Sequence, residues 1–185
     1  MRSSLPDTLC TRCGLCCDGS LFADVELAGR AEATRLEAMG LEIEDEDTNG
    51  ALLPQPCRAL RGKRCGIYAH RPQCCRTFEC RLLQDVRHGT TGVERAVERI
   101  AEARERIGRV RDQLAHLGQR DKRLPLGEIC DEALARDPDP VPQVNRKRAE
   151  LQAAMSAVEE SLRKTFLDGR ARSRTHRAAG TDEPS

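Results

Sequence analysis

Cys10-Thr11-Arg12-Cys13-Gly14-Leu15-Cys16-Cys17 places four thiols within eight residues, more sulfur than packing requires. A second stretch answers it, running from Cys57 through Cys65, Cys74 and Cys75 to Cys80. A C-x2-C step lets two thiolates reach one ion, while the tight turn between them aims backbone N–H groups at sulfur. Two such steps overlap here, Cys10 to Cys13 and Cys13 to Cys16. The run has the spacing by which bacterial ferredoxin loops hold three corners of a [4Fe–4S] cluster. The usual fourth cysteine, three residues on and followed by proline, is missing because Cys17 follows Cys16 directly. Adjacent side chains diverge, so Cys17 is expected to face a second metal or to replace one ligand of the first. Gly14 keeps the run free of a Cβ where the chain must turn tightly.

The second stretch supplies the remaining corners. A structural zinc site takes four ligands and keeps no open position. Eight or more cysteines allow two four-thiolate sites, one cluster plus a mononuclear site, or a single site with spare reactive thiols. An all-thiolate set selects zinc, iron–sulfur or copper(I) and argues against magnesium or calcium. Among the histidines only His70 lies close in sequence, and it reads as a surface residue or a neighbour of a ligand. Bound thiols are deprotonated, so the site carries negative charge. Arg12, Arg58, Arg71, Arg76 and Arg81 are placed in sequence to offset it.

Composition makes metal the expected source of order. Of 185 residues, 38% are hydrophobic, 33% charged and 2% aromatic, with Tyr68 the single tyrosine and no tryptophan. So thin an apolar supply, above all in the first half, calls for a metal or disulfides. Met1 to Asp7 runs toward Cys10 without the apolar core of a secretory signal, and no apolar run approaches a membrane span. A cytoplasmic location is therefore expected, where thiols stay reduced and clustered cysteines bind metal. The formal net charge of +1 and the scarcity of aromatics argue against a nucleic-acid binder.

The elements that must position the thiols follow from periodicity. Residues 1–9 read as a loose lead-in. Leu21 to Leu27 alternates weakly, suggesting a short strand, and Ala28 to Met39 reads as a helix with Gly40 at its C′ position. Glu42 to Asp47 forms an acidic loop closed by Asn49-Gly50. Ala51 to Pro56 suits an edge or extended segment because of its prolines. Arg61-Gly62-Lys63-Arg64 is expected to turn, bringing Cys57 and Cys65 together as a ribbon. A short helix over Pro72 to Arg76 would set Cys74 and Cys75 on adjacent faces. From Val93 the apolar positions Val93, Val97, Ile100, Ile107, Val110, Leu114 and Leu117 predict an amphipathic helix of about seven turns. Leu124 to Ala135 suggests a short helix, and Asp137 to Pro142 a stiff linker. Val144, Leu151, Met155, Val158, Leu162 and Phe166 mark a second long helix at heptad-like, coiled-coil-type spacing.

The expected fold class is therefore α+β: a small irregular cysteine-rich domain (1–88), then a long helical hairpin (89–168) and a disordered Arg-rich tail (169–185). The helical stripe would pair within the chain, or serve a protein partner or a homodimer.

These residues together resemble the CxxCxxCC cysteine-cluster family of the YkgJ type, a zinc- or iron-chelating domain. The likeness rests on Cys10-x2-Cys13-x2-Cys16-Cys17. It rests equally on Cys57…Cys65-Gly66-Ile67-Tyr68-x2-Arg71-Pro72-x2-Cys75-Arg76-x-Phe78-x-Cys80, and it covers roughly the first 85 residues. It implies zinc or iron, a [4Fe–4S] cluster included, held by Cys10, Cys13, Cys16, Cys17, Cys57, Cys65, Cys75 and Cys80. It leaves Cys74 and Cys130 outside that set, Cys130 as a buried small hydrophobe. Tyr68, Arg71, Pro72, Arg76 and Phe78 become packing residues around the ligands. Bacterial flagellin lysine N-methylases carry a similar cluster, so an iron–sulfur-dependent redox or protein-modifying enzyme is the alternative function.

Overall fold

A computed structural model describes residues 5–45, 50–121, 123–136 and 140–167. Parts of the acidic loop and of the linker, and the whole Arg-rich tail, lie outside them. The elements in chain order are α1 (Leu5–Cys13), β1 (Asp24–Glu26), α2 (Arg30–Glu37), β2 (Glu44–Asp45) and β3 (Ala51–Pro54). They continue with β4 (Leu60–Arg61), β5 (Arg64–Cys65), a 3-10 turn (Tyr68–His70), α3 (Gln73–Thr77) and α4 (Arg81–Arg87). The long helices α5 (Val93–His116) and α7 (Pro142–Phe166) flank the short α6 (Leu126–Leu134). The fold is α+β, as expected.

The long helices form where the apolar stripe is longest. On α7 the buried residues are the expected Leu151, Met155, Val158, Leu162 and Phe166. On α5 the buried line is Ala96, Ile100, Ala103, Ile107, Val110 and Leu114, whereas Val93, Val97 and Leu117 are only partly covered. The two alanines escape a hydrophobicity pattern, but their small size lets the helix approach its neighbours closely. Arg106 donates to Ser161 Oγ at 3.1 Å, and Arg95 and Arg99 share a polar recess with Lys164. The start of α5 therefore lies beside the end of α7, and the pair is antiparallel. Pro142 is the first residue of α7 rather than part of the linker, a place where its missing N–H costs nothing. Among the described residues no helix is long and apolar enough to cross a membrane.

The cysteine-rich half leans on this pair. Leu9, Leu15, Leu21, Leu82, Leu83 and Val86 join the stripes of α5, α6 and α7 in one core. A smaller core, built from Leu27, Ala33, Leu36, Leu41, Ala51, Leu53 and Ala59, lies between α2 and the sheet. The first half thus borrows much of its apolar contact from the second.

Four local expectations are corrected. Residues 5–9 are not a lead-in but the first turns of α1, drawn into helix because Leu9 is buried against the larger core. Strand β1 covers only Asp24 to Glu26, and α2 is shorter than its pattern, ending at Glu37. Its close follows the expected route: Gly40 (φ +83°) donates to Glu37 C=O and Leu41 to Leu36 C=O, the Schellman arrangement. Strand β3 is the central strand of the order β1-β3-β2, not an edge. Proline is tolerated because Pro54 stands at the strand's end opposite Asp24, beyond the reach of β2, which pairs only with Ala51 and Leu52.

Candidate metal centre

Helix α1 carries Cys10 and Cys13 three residues apart, hence on one face. The helix stops at Cys13, where Gly14 (φ +72°) donates to Cys10 C=O at 3.2 Å. Gly14 C=O then accepts Cys17 and Asp18 N–H, both at 3.0 Å. The cysteine run is thus half helix and half tight turn, not a ferredoxin-type loop throughout. A Cβ on Gly14 would stand 3.2 Å from Lys63 Cα in the turn of the β4–β5 ribbon. Gly14→Ala is expected to destabilise the chain by about 2 kcal/mol, from left-handed backbone strain plus that approach. Urea unfolding measures it, and an unchanged midpoint would contradict it.

The two cysteine stretches are joined backbone to backbone. Cys57 N–H donates to Cys17 C=O at 2.9 Å and to Gln55 Oε1 at 3.0 Å. Gln55 is the buried polar side chain of the region, and its amide nitrogen bonds Leu53 C=O at 3.3 Å. Gly62 (φ +64°) turns β4 into β5, as the spacing predicts, and the register sets Cys65 opposite Leu60. Helix α3 begins after Pro72, where Glu32 of α2 accepts Gln73 N–H at 2.8 Å. Cys80 stands at the N-terminus of α4, which packs against α1.

All eight sequence-predicted thiols, and Cys74, line one open cleft of about 950 Å³. Its walls include Phe22 edge-on to Phe78 at 5.2 Å, and Tyr68 beneath the Arg71 guanidinium at 3.7 Å. Among the described residues no three His, Cys, Asp or Glu side chains already stand as a cage for an ion. Cys130 lies apart, 1% exposed within the helical core.

The electrostatics of the cleft suit a bound cation. Burial pushes the Cys13 thiol up to about 12, helped by the sulfurs of Cys80 and Cys10 and opposed by Leu15 N–H. Burial likewise raises Cys17 to about 12, with Cys57 and Cys65 adding repulsion. Cys16 rises by burial and then by Cys13 and Cys80. Cys57 and Cys80 are also raised by burial, though N–H groups of Ala59 and Leu83 respectively favour their thiolates. Cys74 and Cys75 lie 4.0 Å apart, sulfur to sulfur. Their mutual hydrogen bond lowers Cys74 and raises Cys75. Such crowded thiols resist joint ionisation unless a metal offsets the charge, so this donor set fits a soft or borderline metal.

Burial raises the Cys130 thiol from 9.0 to about 12. The stability its neutral form contributes is present below the unfolded value and is lost as pH rises toward 12. Iodoacetamide at about pH 8 is expected to leave Cys130 unmodified in the folded chain. Peptide mass mapping that finds it alkylated as fast as an exposed thiol would contradict this.

The charged residues fall differently from the sequence expectation. Arg71 and Arg76 line the cleft, but Arg58 pairs with Glu42, and Arg81 belongs to the polar recess near Lys164. Arg12 is exposed and outside the lining. His70 is exposed, and its carbonyl accepts Arg35 at 2.9 Å. Two arginines that sequence reading missed hold the first stretch instead. Arg104 donates to Cys13 C=O at 2.6 Å and lies 3.5 Å from Asp18. One heptad on, Arg111 donates to Asp18 C=O at 3.1 Å. In the sequence they are two of many charges on α5, and nothing but that seven-residue interval sets them apart. Arg104→Gln is expected to weaken metal retention about 10–100-fold, as loss of a group that orients ligands typically does. Competition with a chromophoric chelator measures it, and retention equal to the unsubstituted chain would contradict it.

No curated protein and no solved structure matches the chain. A family model does: CxxCxxCC, described as a putative zinc- or iron-chelating domain, matches residues 9–103. That span takes in every thiol of the cleft and the first turns of α5. With just over half its length matched, the chain belongs to the CxxCxxCC family of zinc- or iron-chelating domains.

Proposed function

We propose that the chain holds zinc or iron through the thiolates of Cys10, Cys13, Cys16, Cys17, Cys57, Cys65, Cys75 and Cys80. The observation that carries this reading is their convergence on one cleft in which burial raises Cys13, Cys16, Cys17, Cys57 and Cys80 and neighbouring sulfur adds to it. A bound metal supplies a cross-link between the two stretches and, if it is iron, an electron-transfer centre. The chain's own part is to present sulfur from α1, the β4–β5 ribbon, α3 and α4, and to steady the first stretch through Arg104 and Arg111. In this reading helices α5 to α7 act as scaffold for a cysteine region spanning residues 1–88. The test is metal and acid-labile sulfide content of anaerobically purified protein, taken with its visible spectrum. Colourless protein with stoichiometric zinc, or iron with matching sulfide, is the expected result. Protein free of both metals would overturn it.

One observation favours a second reading, an iron–sulfur-dependent redox or protein-modifying enzyme. The cleft of about 950 Å³ is lined by Phe22, Val25 and Tyr68 as well as by the sulfurs, more space than a metal ion alone would fill. Reversible bleaching of the visible spectrum by dithionite would support it, and its absence in iron-loaded protein would dismiss it.

A further inference from the structure

We infer that the eight thiols form two separate four-sulfur metal sites, one of Cys10, Cys13, Cys16 and Cys80, the other of Cys17, Cys57, Cys65 and Cys75. This rests on the metal-binding reading above and adds to it the number of ions and the division of the ligands.

The division follows the architecture. The first set gathers where α1 packs on α4, although α1 also touches β5 of the ribbon. Cys10 and Cys13 share a face of α1, Cys16 comes three residues later around the turn, and Cys80 heads α4. Cys13, Cys16 and Cys80 rest on the larger core that includes α5 and α7. The second set belongs to the ribbon and α3. Cys17 is tied to Cys57 by the 2.9 Å backbone bond, Cys65 ends β5, and Cys75 lies on α3. Cys57 packs against the smaller core beside the sheet.

The charge neighbours of the sulfurs sort the same way. Cys13 feels the charge of Cys80 and Cys10, Cys16 that of Cys13 and Cys80, and Cys80 that of Cys10. Cys17 feels the charge of Cys57 and Cys65, Cys57 that of Cys65, and Cys75 that of Cys74 and then of Cys17 and Cys57. The sets touch at Cys17, which neighbours Cys16 and Cys10 at the point where adjacent side chains diverge. Cys74 touches the second set through Cys75 and also neighbours the Glu32 carboxylate; it stays outside because a tetrahedral site takes four thiolates and no fifth. Four thiolates complete a tetrahedral site, so each set is sufficient alone.

Cadmium is the probe, because it accepts four thiolates and its 113Cd resonance reports each site separately. The full-length chain, stripped and reloaded with cadmium alone, is expected to show two resonances of equal area. Cys65→Ser should remove or shift one and spare the other, Cys80→Ser should do the reverse, and bound cadmium should fall by about half with loss of either site. Cys74→Ser should leave both in place. Should either of the first two variants fail to fold, Cys57→Ser and Cys10→Ser repeat the comparison. One resonance, or both resonances altered by variants of each set, would overturn the division while leaving metal binding intact. A chain that binds no cadmium would overturn both readings together.

Discussion

Stripping the metal with excess chelator is expected to expose the sheet, the β4–β5 ribbon and α3 to hydrogen exchange while α5 and α7 keep their protection. The two regions differ in what holds them. Helices α5 and α7 bury Ile100, Ile107, Val110, Leu151, Val158, Leu162 and Phe166 against each other and against α6. The ribbon, α3 and the sheet have the smaller core and strands of two to four residues, too short to persist without tertiary support. Thiolate–metal bonds are the largest single stabilisation available there, and structural zinc contributes about 10–16 kcal/mol of apparent binding energy in small metal-folded domains. Exchange mass spectrometry with and without chelator measures the effect. Unchanged protection across Cys57 to Cys80 would show that the metal does not organise the region.

The second large effect belongs to Phe166. It is 1% exposed, sits in the larger core at the end of α7, and its ring also reaches the floor of the cysteine cleft. Phe166→Ala is expected to cost about 3–5 kcal/mol, the transfer free energy of the ring plus the cavity left behind. That is a large share of the stability of an ordinary domain. Because the ring underlies the cleft, metal should also be lost more readily. By contrast Phe78, 38% exposed at the cleft rim, should cost less than about 1 kcal/mol when cut to alanine. Urea midpoints of the two variants test the pair, and equal costs would show that the cleft floor carries no more load than its rim.

Much of this architecture was legible beforehand because its causes are local. Two apolar stripes of 3.6-residue period specify two long helices wherever they end up, and Gly40 and Gly62 specify a helix stop and a turn by backbone freedom alone. The spacing Cys10-x2-Cys13-x2-Cys16-Cys17 likewise announces thiol chemistry, since only a shared ion or redox partner accounts for so much sulfur in so few residues. Leu5 to Leu9 read as a lead-in because five residues carry too little periodicity. They are helical only because Leu9 is covered by a core whose other members lie far along the chain. Strand β3 read as an edge from its prolines, and became central because β2 is short enough to leave Pro54 unopposed on that side.

What the sequence determined by itself was the kind of chemistry, the fold class and the thiol inventory, for each depends on residue type and near spacing. Only the tertiary structure decided that Cys57 bonds Cys17 while α4, headed by Cys80, packs on α1, and that Arg104 and Arg111 of α5 hold the first stretch. Those pairings join residues 40 to more than 90 positions apart, and no local periodicity or propensity records them. They are set by how α1, α4 and α5 pack once their apolar faces leave water.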